Sequence, residues 1–167
     1  MRNLRILIPA VLVAGAALYF GYFYLWLEDD ERIIHSKVNR LVEVAGKDGN
    51  ETVFVGVSRA REIADHFSSD FSLDLGRPFP GGVSGRDELT AAIVQVRANA
   101  QELSLRATDR QLEIAEDGES AVMELTGRGS LSHSGGEARE ARRFRVEWIR
   151  EDGDWKIETV ELLDIIN

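Results

Sequence analysis

The sequence predicts an α+β fold, in which three helices pack on a curved antiparallel sheet and an N-terminal transmembrane helix precedes them. Three observations predict this order. An uncharged apolar run occupies residues 6–27, apolar residues then recur mainly with helical spacing, and from Gln101 onward they alternate every second residue as in strands. Helices gathered before a run of strands are typical of a fold whose helices cover one face of the sheet.

The first element is the run Ile6–Leu27, which contains no charged residue. As a helix it would be about 33 Å long, enough to cross the roughly 30 Å hydrocarbon core of a bilayer. Arg2 and Arg5 precede it and an acidic cluster follows, so the positive-inside rule predicts a cytoplasmic N-terminus. We therefore expect a protein of the bacterial inner membrane with three parts: a cytoplasmic tail of residues 1–5, a transmembrane anchor of residues 6–27 and an exported domain of residues 28–167.

A cleaved signal peptide is the alternative interpretation of this run. Ala14-Gly15-Ala16 has the small-x-small form of a cleavage site. Cleavage there would leave the apolar segment LYFGYFYLWL near a free N-terminus in water, which is unfavourable. Aromatic side chains crowd the exit side of the run, as they do at the depth of lipid headgroups. These observations favour an uncleaved anchor.

Charge and composition exclude several classes of function. The chain has 20 Lys and Arg residues and 29 Asp and Glu residues, and two of the basic residues precede the run, so the exported part has a formal net charge of −11. This charge argues against nucleic acid or anionic lipid as a broad partner. The absence of Cys excludes disulfides and thiolate ligands, and the three His residues lack metal-binding spacing. We expect no metal and no cofactor.

Two helices are predicted at the start of the exported domain. The first is DDERIIHSKVNRLVEVAGK, which Asp29 or Asp30 can cap and Gly46 can end. The segment ETVFVGV that follows is compatible with either a short strand or an extended connector. Ser58 can then cap the second helix, RAREIADHFSSDF, and FSLDLG alternates as a strand.

A third helix and four strands complete the prediction. Ser84 and Asp87 have the spacing of a capping box for the helix. The strands are separated by EDGES, by the loop HSGGEARE and by the Asp-Gly turn of REDGD. Gly127 and Gly129 lie inside the second of these strands, where glycine predicts a bend.

The final hairpin, VEWIREDGDWKIETVEL, resembles the closing hairpin of the nuclear transport factor 2-like superfamily, the SnoaL-like or cystatin-like cone domains. A strand containing Trp, an Asp-Gly turn and a following Trp-Lys-Ile carry the resemblance, and the predicted element order from Asp30 to Leu163 agrees with it. The resemblance implies a cone whose sheet wraps a pocket. It also implies a choice of activities, because the superfamily includes isomerases, dehydratases, hydrolases and members without catalysis.

In such a cone, five side chains are predicted to line the pocket: Met123, His133, Phe144, Trp148 and Glu161. His133 is in phase with Met123 and could act as a general base, but the adjacent SGG turn favours a position at the rim. Glu161 is in phase with Trp155 and would face inward in a regular strand. A bulge that turns Val160 and Leu162 inward is the favoured alternative.

No catalytic residue is predicted. Isomerases of the superfamily rely on a pocket Tyr beside an Asp base, whereas every Tyr of this chain lies in the predicted anchor. Asp65 and His66 are adjacent in sequence but are expected on the solvated face of a helix. The densest basic run is Arg139, Arg142, Arg143 and Arg145. Glutamates interleave with it, which favours a charge-paired outer strand face over an anion site.

The sequence therefore predicts a membrane-anchored, exported module that acts without catalysis, by interaction or by ligand binding. The expected partners are the membrane, a protein or a second copy of the chain, and a small apolar ligand. Two alternatives stay open. One is a small-molecule-binding enzyme of isomerase or dehydratase type that uses the pocket. The other is a secretion scaffold, because the layout of short tail, single span and domain resembles the VirB8-type subunits of type IV secretion.

Overall fold

The computed structural model describes residues 29–76, 83 and 85–166. The predicted anchor Ile6–Leu27 and the predicted cap Ser84 lie outside these residues. Within the part that is described, no helix combines the length and the apolar character that a membrane crossing requires. The anchor therefore remains a prediction from the sequence.

Helix α1 covers residues 29–45 and stops before Gly46, as predicted. Ile34 and Val38 point into the core, whereas the neighbouring Ile33 is 42% exposed. Asp30 is part of α1 and its side chain is buried, so it is not a cap exposed to solvent. Its carboxylate instead contacts the sheet, as described below.

Helix α2 spans Val53–Ala64, so the segment ETVFVGV forms its first turns and is neither strand nor connector. The prediction that Ser58 caps this helix is wrong. The N-cap is Thr52, whose hydroxyl accepts a hydrogen bond from the backbone N–H of Val55 at 3.4 Å. The helix buries a face of small and aliphatic residues: Gly56, Ala60, Ile63 and Ala64.

Strand β1 spans Phe67–Asp74, so the predicted continuation of α2 through FSSDF is also wrong. The Phe67 and Phe71 side chains are both buried, with ring centroids 5.1 Å apart. Helix α3 follows at Arg86–Asn99, and its N-cap is Gly85, which makes no side-chain capping bond.

The four remaining strands follow one another along the chain: β2 Glu102–Ile114, β3 Ser120–His133, β4 Gly136–Glu151 and β5 Asp154–Ile166. Because β4 begins at Gly136, most of the predicted loop HSGGEARE belongs to a strand. The sheet order is β1-β5-β4-β3-β2. Strands β2 to β5 are antiparallel, but β1 pairs with β5 in parallel, so the sheet is mixed and the prediction of a purely antiparallel sheet is corrected.

Register shifts in β2 and β5 set which side chains face the helices. In β2 the register shifts between Thr108 and Gln111, next to Asp109 at φ 52°, which explains why the inward pattern changes from odd to even positions. In β5 the register shifts twice, opposite the steps from Glu147 to Trp148 and from Arg143 to Phe144, which leaves Glu158 and Leu163 as extra residues.

All three helices cover one face of the sheet, which we call the inner face. The core formed there comprises Ile34, Val38, Val44, Ile63, Ala64, Phe67, Phe71, Leu89, Ala121, Met123, Val146, Trp148, Trp155 and Ile157. The opposite, outer face of the sheet is covered by no described helix.

Candidate functional site

The candidate site is the space between the helices and the inner face of the sheet, where the resemblance places a pocket. Strand alternation carries Met123 on β3 and Val146 and Trp148 on β4 to this face. The Met123 side chain is fully buried and Trp148 is 1% exposed. Ile157 of β5 pairs with Trp148 and is also buried. These large side chains fill the deepest part of the interior.

Phe144 lies closer to the edge of the same core and is partly buried. Its ring crosses β3 at Gly127, where an added Cβ would lie 3.0 Å from Phe144 Cε2. A side chain at this point would press on the Phe144 ring, which would have to shift to make room. The structure therefore brings together three of the five predicted pocket residues: Met123, Phe144 and Trp148.

The other two predicted residues lie apart from them. His133 is exposed at the end of β3, and its Nδ1 accepts a hydrogen bond from the backbone N–H of Gly135 at 2.9 Å. Glu161 is exposed and pairs in register with Arg145 on the outer face. The extra residue Glu158 produces this position, because one inserted residue exchanges the faces of the residues that follow.

A buried acidic group joins α1 to the sheet. Asp30 Oδ1 accepts hydrogen bonds from Arg150 Nη2 at 2.6 Å and from Trp155 Nε1 at 3.1 Å. The Arg150 guanidinium also lies 4.9 Å from the centre of the Trp155 ring, within range of a cation–π interaction. All three polar groups are committed to one another, so this cluster serves to dock α1 on the β4–β5 hairpin.

A second buried ion pair connects the three helices. The Arg97 guanidinium, 3% exposed, is bound by both carboxylate oxygens of Glu51. It also donates to the backbone carbonyls of Val44, Ala45 and Gly46, which α1 leaves without helical partners. The hydrogen bond from Arg97 lowers the pKa of Glu51 against the opposing effect of burial. Arg97 thus ends α1 and holds the start of α2.

Two further polar side chains border the interior. Arg142 faces inward from β4, is 7% exposed and donates to the carbonyl of Leu75 and to Glu140. His66 is partly buried, and its Nδ1 lies 2.8 Å from the carbonyl oxygen of Glu62. Because a carbonyl can only accept, Nδ1 carries the proton in the neutral ring. Burial lowers the pKa of His66.

Two buried polar atoms have no hydrogen-bond partner within the described residues: the hydroxyl of Ser68 and the indole N–H of Trp148. Leaving a buried donor unpaired costs about 1–3 kcal/mol. The Trp148 N–H is therefore the group that an acceptor entering the interior would satisfy.

No group of His, Asp and Glu residues in the described ranges has the geometry of a metal site. The buried charges near the interior are held in ion pairs or hydrogen bonds with neighbouring residues.

Sequence reasoning missed the ion pair of Glu51 and Arg97 and gave Asp30 only a capping role. The expectation that Arg142 lies on the charge-paired outer face is wrong, because its side chain is buried and faces inward. The partners Asp30 and Arg150 are separated by 120 positions, and Glu51 and Arg97 by 46. Charge pairs within one helix or strand can be found from spacing, but these pairs depend on tertiary packing. The available signal was a charged residue interrupting an apolar stripe, as Arg97 does beside Ile93 and Val96.

Comparison with protein families identifies one match. A model of the SnoaL-like domain covers residues 54–161, nearly two thirds of the chain. No curated protein sequence matches this chain.

Solved structures with this fold come from several bacteria. A candidate scytalone dehydratase from Novosphingobium aromaticivorans is 14% identical, with a TM-score of 0.66 over 85% of this chain and 87% of that one. An NTF2-like protein with a cystatin-like fold from the same organism is 17% identical, with a TM-score of 0.63 over 84% and 86% of the two chains. A candidate NTF2-family dehydratase from Streptomyces avermitilis is 11% identical, with a TM-score of 0.63 over 84% and 99%. At these identities the similarity shows a shared fold.

Proposed function

The chain belongs to the SnoaL-like domain family, and from this premise we propose that it acts as a non-enzymatic binding module held at the outer face of a bacterial inner membrane. Residues 6–27 would form the anchor and residues 28–167 the exported domain. The uncharged run and the charge asymmetry across it support this location.

The filled interior is the observation that carries the non-enzymatic assignment. Trp148, Trp155 and Met123 are each at most 1% exposed and occupy the space beneath the helices. Ligand and substrate sites in proteins are concave and enclose most of the ligand surface. A core packed with two indoles and a thioether leaves the surface of the domain as the place where it binds.

An apolar reporter dye tests this assignment. We expect the uncharged dye N-phenyl-1-naphthylamine to show no saturable fluorescence increase with the native protein at neutral pH. Met123→Ala should open a cavity beside Trp148 and allow uptake, provided that circular dichroism shows the variant to be folded. Saturable uptake by the unmodified protein would establish an open interior and overturn the proposal.

The location is tested separately. The protein should stay in the membrane fraction through high-salt and carbonate washes, and a reporter fused after Asn167 should be active outside the cytoplasm. A mature N-terminus at Ala17 or Leu18 by mass spectrometry would show cleavage, and cytoplasmic reporter activity would reverse the topology.

A second candidate function is a small-ligand site or enzyme within the interior. The unpaired indole N–H of Trp148 favours it, because a ligand oxygen could accept this donor. A ligand of that kind would shift the Trp148 indole resonance in a ¹H–¹⁵N spectrum and leave that of Trp155, which already donates to Asp30, nearly unchanged.

A further inference from the structure

We propose that the outer face of the sheet, at the end remote from Asp30, binds an extended acidic segment of a partner protein. This inference rests on the proposed function, because it names the partner class of the binding module. Its basis is a group of arginines on the outer face of the sheet, away from the interior.

An arginine pair marks the site. Arg106 of β2 and Arg128 of β3 stand directly opposite each other in the register, and both are exposed on the outer face. Like charges directly opposite in a sheet are destabilising. Within the described residues no carboxylate forms an ion pair with either guanidinium, so none of these residues relieves the repulsion between them. An external anion would relieve it.

The neighbouring side chains extend this arginine pair into a patch. The next row of the sheet places Ser104, Ser130 and Arg139 side by side, and Arg143 lies on the same face one row beyond the pair. A surface depression of about 720 Å³ runs over these strands and reaches Ile165 and Ile166, which are 49% and 42% exposed. Glu140 also borders the depression, but its carboxylate is bound by Arg142. We call Ser104, Arg106, Arg128, Ser130 and Arg139 the arginine patch.

The geometry of the arginine patch suits carboxylates on an extended chain. A guanidinium fork binds a carboxylate through two parallel hydrogen bonds. Successive rows on one face of a sheet are about 6.8 Å apart, which is also the spacing of alternate side chains on an extended peptide. Acidic residues at every second position could therefore meet Arg106 and Arg128 in one row and, in the next, Arg139, whose Nε also donates to Glu137 at 2.9 Å. The exposed Ile166, which lies in the same row as Arg106 and Arg128, would contact the intervening apolar atoms.

The position of the arginine patch argues against membrane lipid as the anion. Arg150 and Trp155 bind Asp30 at the start of α1, next to the predicted anchor. Lys47, beyond the other end of α1, bridges to Leu103 at the start of β2. The 17 residues of α1 separate these ends by about 25 Å. The patch lies at the Leu103 end, away from the predicted membrane surface.

A second copy of the chain is the less suitable occupant. Near the Asp30 end of the same face, Glu124, Glu147 and Glu161 surround Arg145 and raise its pKa, chiefly through the hydrogen bond to Glu124. A copy turned end to end could match glutamates with arginines, but its anchor would point away from the membrane. Two copies anchored in the same membrane would instead place their arginine patches against each other, and these like charges would repel.

Fluorescence anisotropy with the full-length chain in a zwitterionic detergent tests the inference. The probe is a fluorescein-labelled heptapeptide of alternating Glu and Thr, and the control peptide has Gln in place of Glu. We expect saturable binding of the Glu peptide, at least tenfold weaker in the double variant Arg106→Gln with Arg128→Gln. The matched double variant Arg32→Gln with Arg61→Gln removes the same charge from α1 and α2 and should change the Kd less than twofold.

Each contrary result identifies a different explanation. Equal weakening of peptide binding in both double variants, or no peptide binding at all, would overturn the proposed site. Equally effective displacement by millimolar inorganic phosphate would assign the patch to small anions, and displacement by phosphatidylglycerol vesicles would assign it to lipid. A dimer in sedimentation that only the Arg106 and Arg128 variant dissociates would assign it to a second copy. Failure of peptide binding leaves the membrane fractionation and dye results unaffected, so the two proposals fail separately.

Discussion

Asp30 in α1 binds Arg150, 120 positions further along the chain, through a hydrogen bond of 2.6 Å between Oδ1 and Nη2. The side chains are 6% and 15% exposed, so the charges are largely removed from water. Trp155 Nε1 shares the same carboxylate oxygen. This contact fixes the start of α1 to the β4–β5 hairpin.

Asp30→Ala should lower the free energy of unfolding by about 3 kcal/mol, because breaking a buried pair leaves an uncompensated charge and an unpaired indole. Urea denaturation followed by Trp fluorescence measures this. Asp29→Ala is the matched control: Asp29 pairs with Arg32 at the surface, with side chains 63% and 76% exposed, and should cost under about 1 kcal/mol. Equal effects of the two substitutions would contradict a buried role for Asp30.

The two core indoles should respond differently to the same substitution. Trp155→Phe removes a donor that is bound to Asp30, whereas Trp148→Phe removes one without a partner among the described residues. Both lose similar volume from sites that are 1% exposed. Trp155→Phe should therefore be the more destabilising by about 2 kcal/mol, the contribution of a hydrogen bond to a charged group. A larger effect at Trp148 would show that its indole N–H has a partner in solution.

The Glu51–Arg97 pair should make stability depend on pH in the acid range. The folded-state pKa of Glu51 is lowered from 4.5, chiefly by the hydrogen bond from Arg97. Its stabilisation is then complete above about pH 4.5 and is lost as the pH falls through the lower folded-state pKa. The urea midpoint should fall less between about pH 5 and pH 3 in Glu51→Gln than in the unmodified protein. Glu43→Gln, at an exposed site on α1, should leave this pH dependence unchanged.

His66 should titrate below its ordinary value. Burial is the main cause of its lowered pKa, and the charges of Lys37 and Lys156 act in the same direction, while the hydrogen bond to Glu62 opposes them. Folding then favours the neutral ring, so stability should decrease as the pH falls from about 6.5 toward the folded-state pKa. An NMR titration of the imidazole protons gives the midpoint. His66→Gln should abolish this part of the pH dependence, and a midpoint above 6.5 would contradict the assignment.

Apolar periodicity predicted much of the architecture. The extent of α1, the alternation of Phe144, Val146 and Trp148, and the bulge that places Val160 inward all follow from local pattern. Local pattern failed where packing overrides propensity. The β-branched segment beginning at Thr52 has the composition of a strand, but Gly56, Ala60 and Ala64 allow a helix to pack closely there, while Val53 and Phe54 remain more than 80% exposed.

Long-range contacts decided the remaining differences. Phe67 and Phe71 have helical spacing, yet they belong to a strand because β5 supplies a parallel partner near the end of the chain. The two-residue period alone puts Phe144 and His133 on one face, and it was the adjacent SGG turn that correctly predicted His133 at the exposed end of β3. The burial of side chains changes from one end of a strand to the other, and the alternation of apolar residues does not reveal that change.

The central place of β5 between β1 and β4 has a consequence for biogenesis. The sheet is completed by the last thirteen residues described, so β1 has no partner until nearly the whole chain has been synthesised. Contacts between distant parts of the chain form late, because the intervening segment must first be closed into a loop. The five-stranded sheet can close only once β5 has been synthesised, so β1 keeps an unpaired edge until the end of elongation.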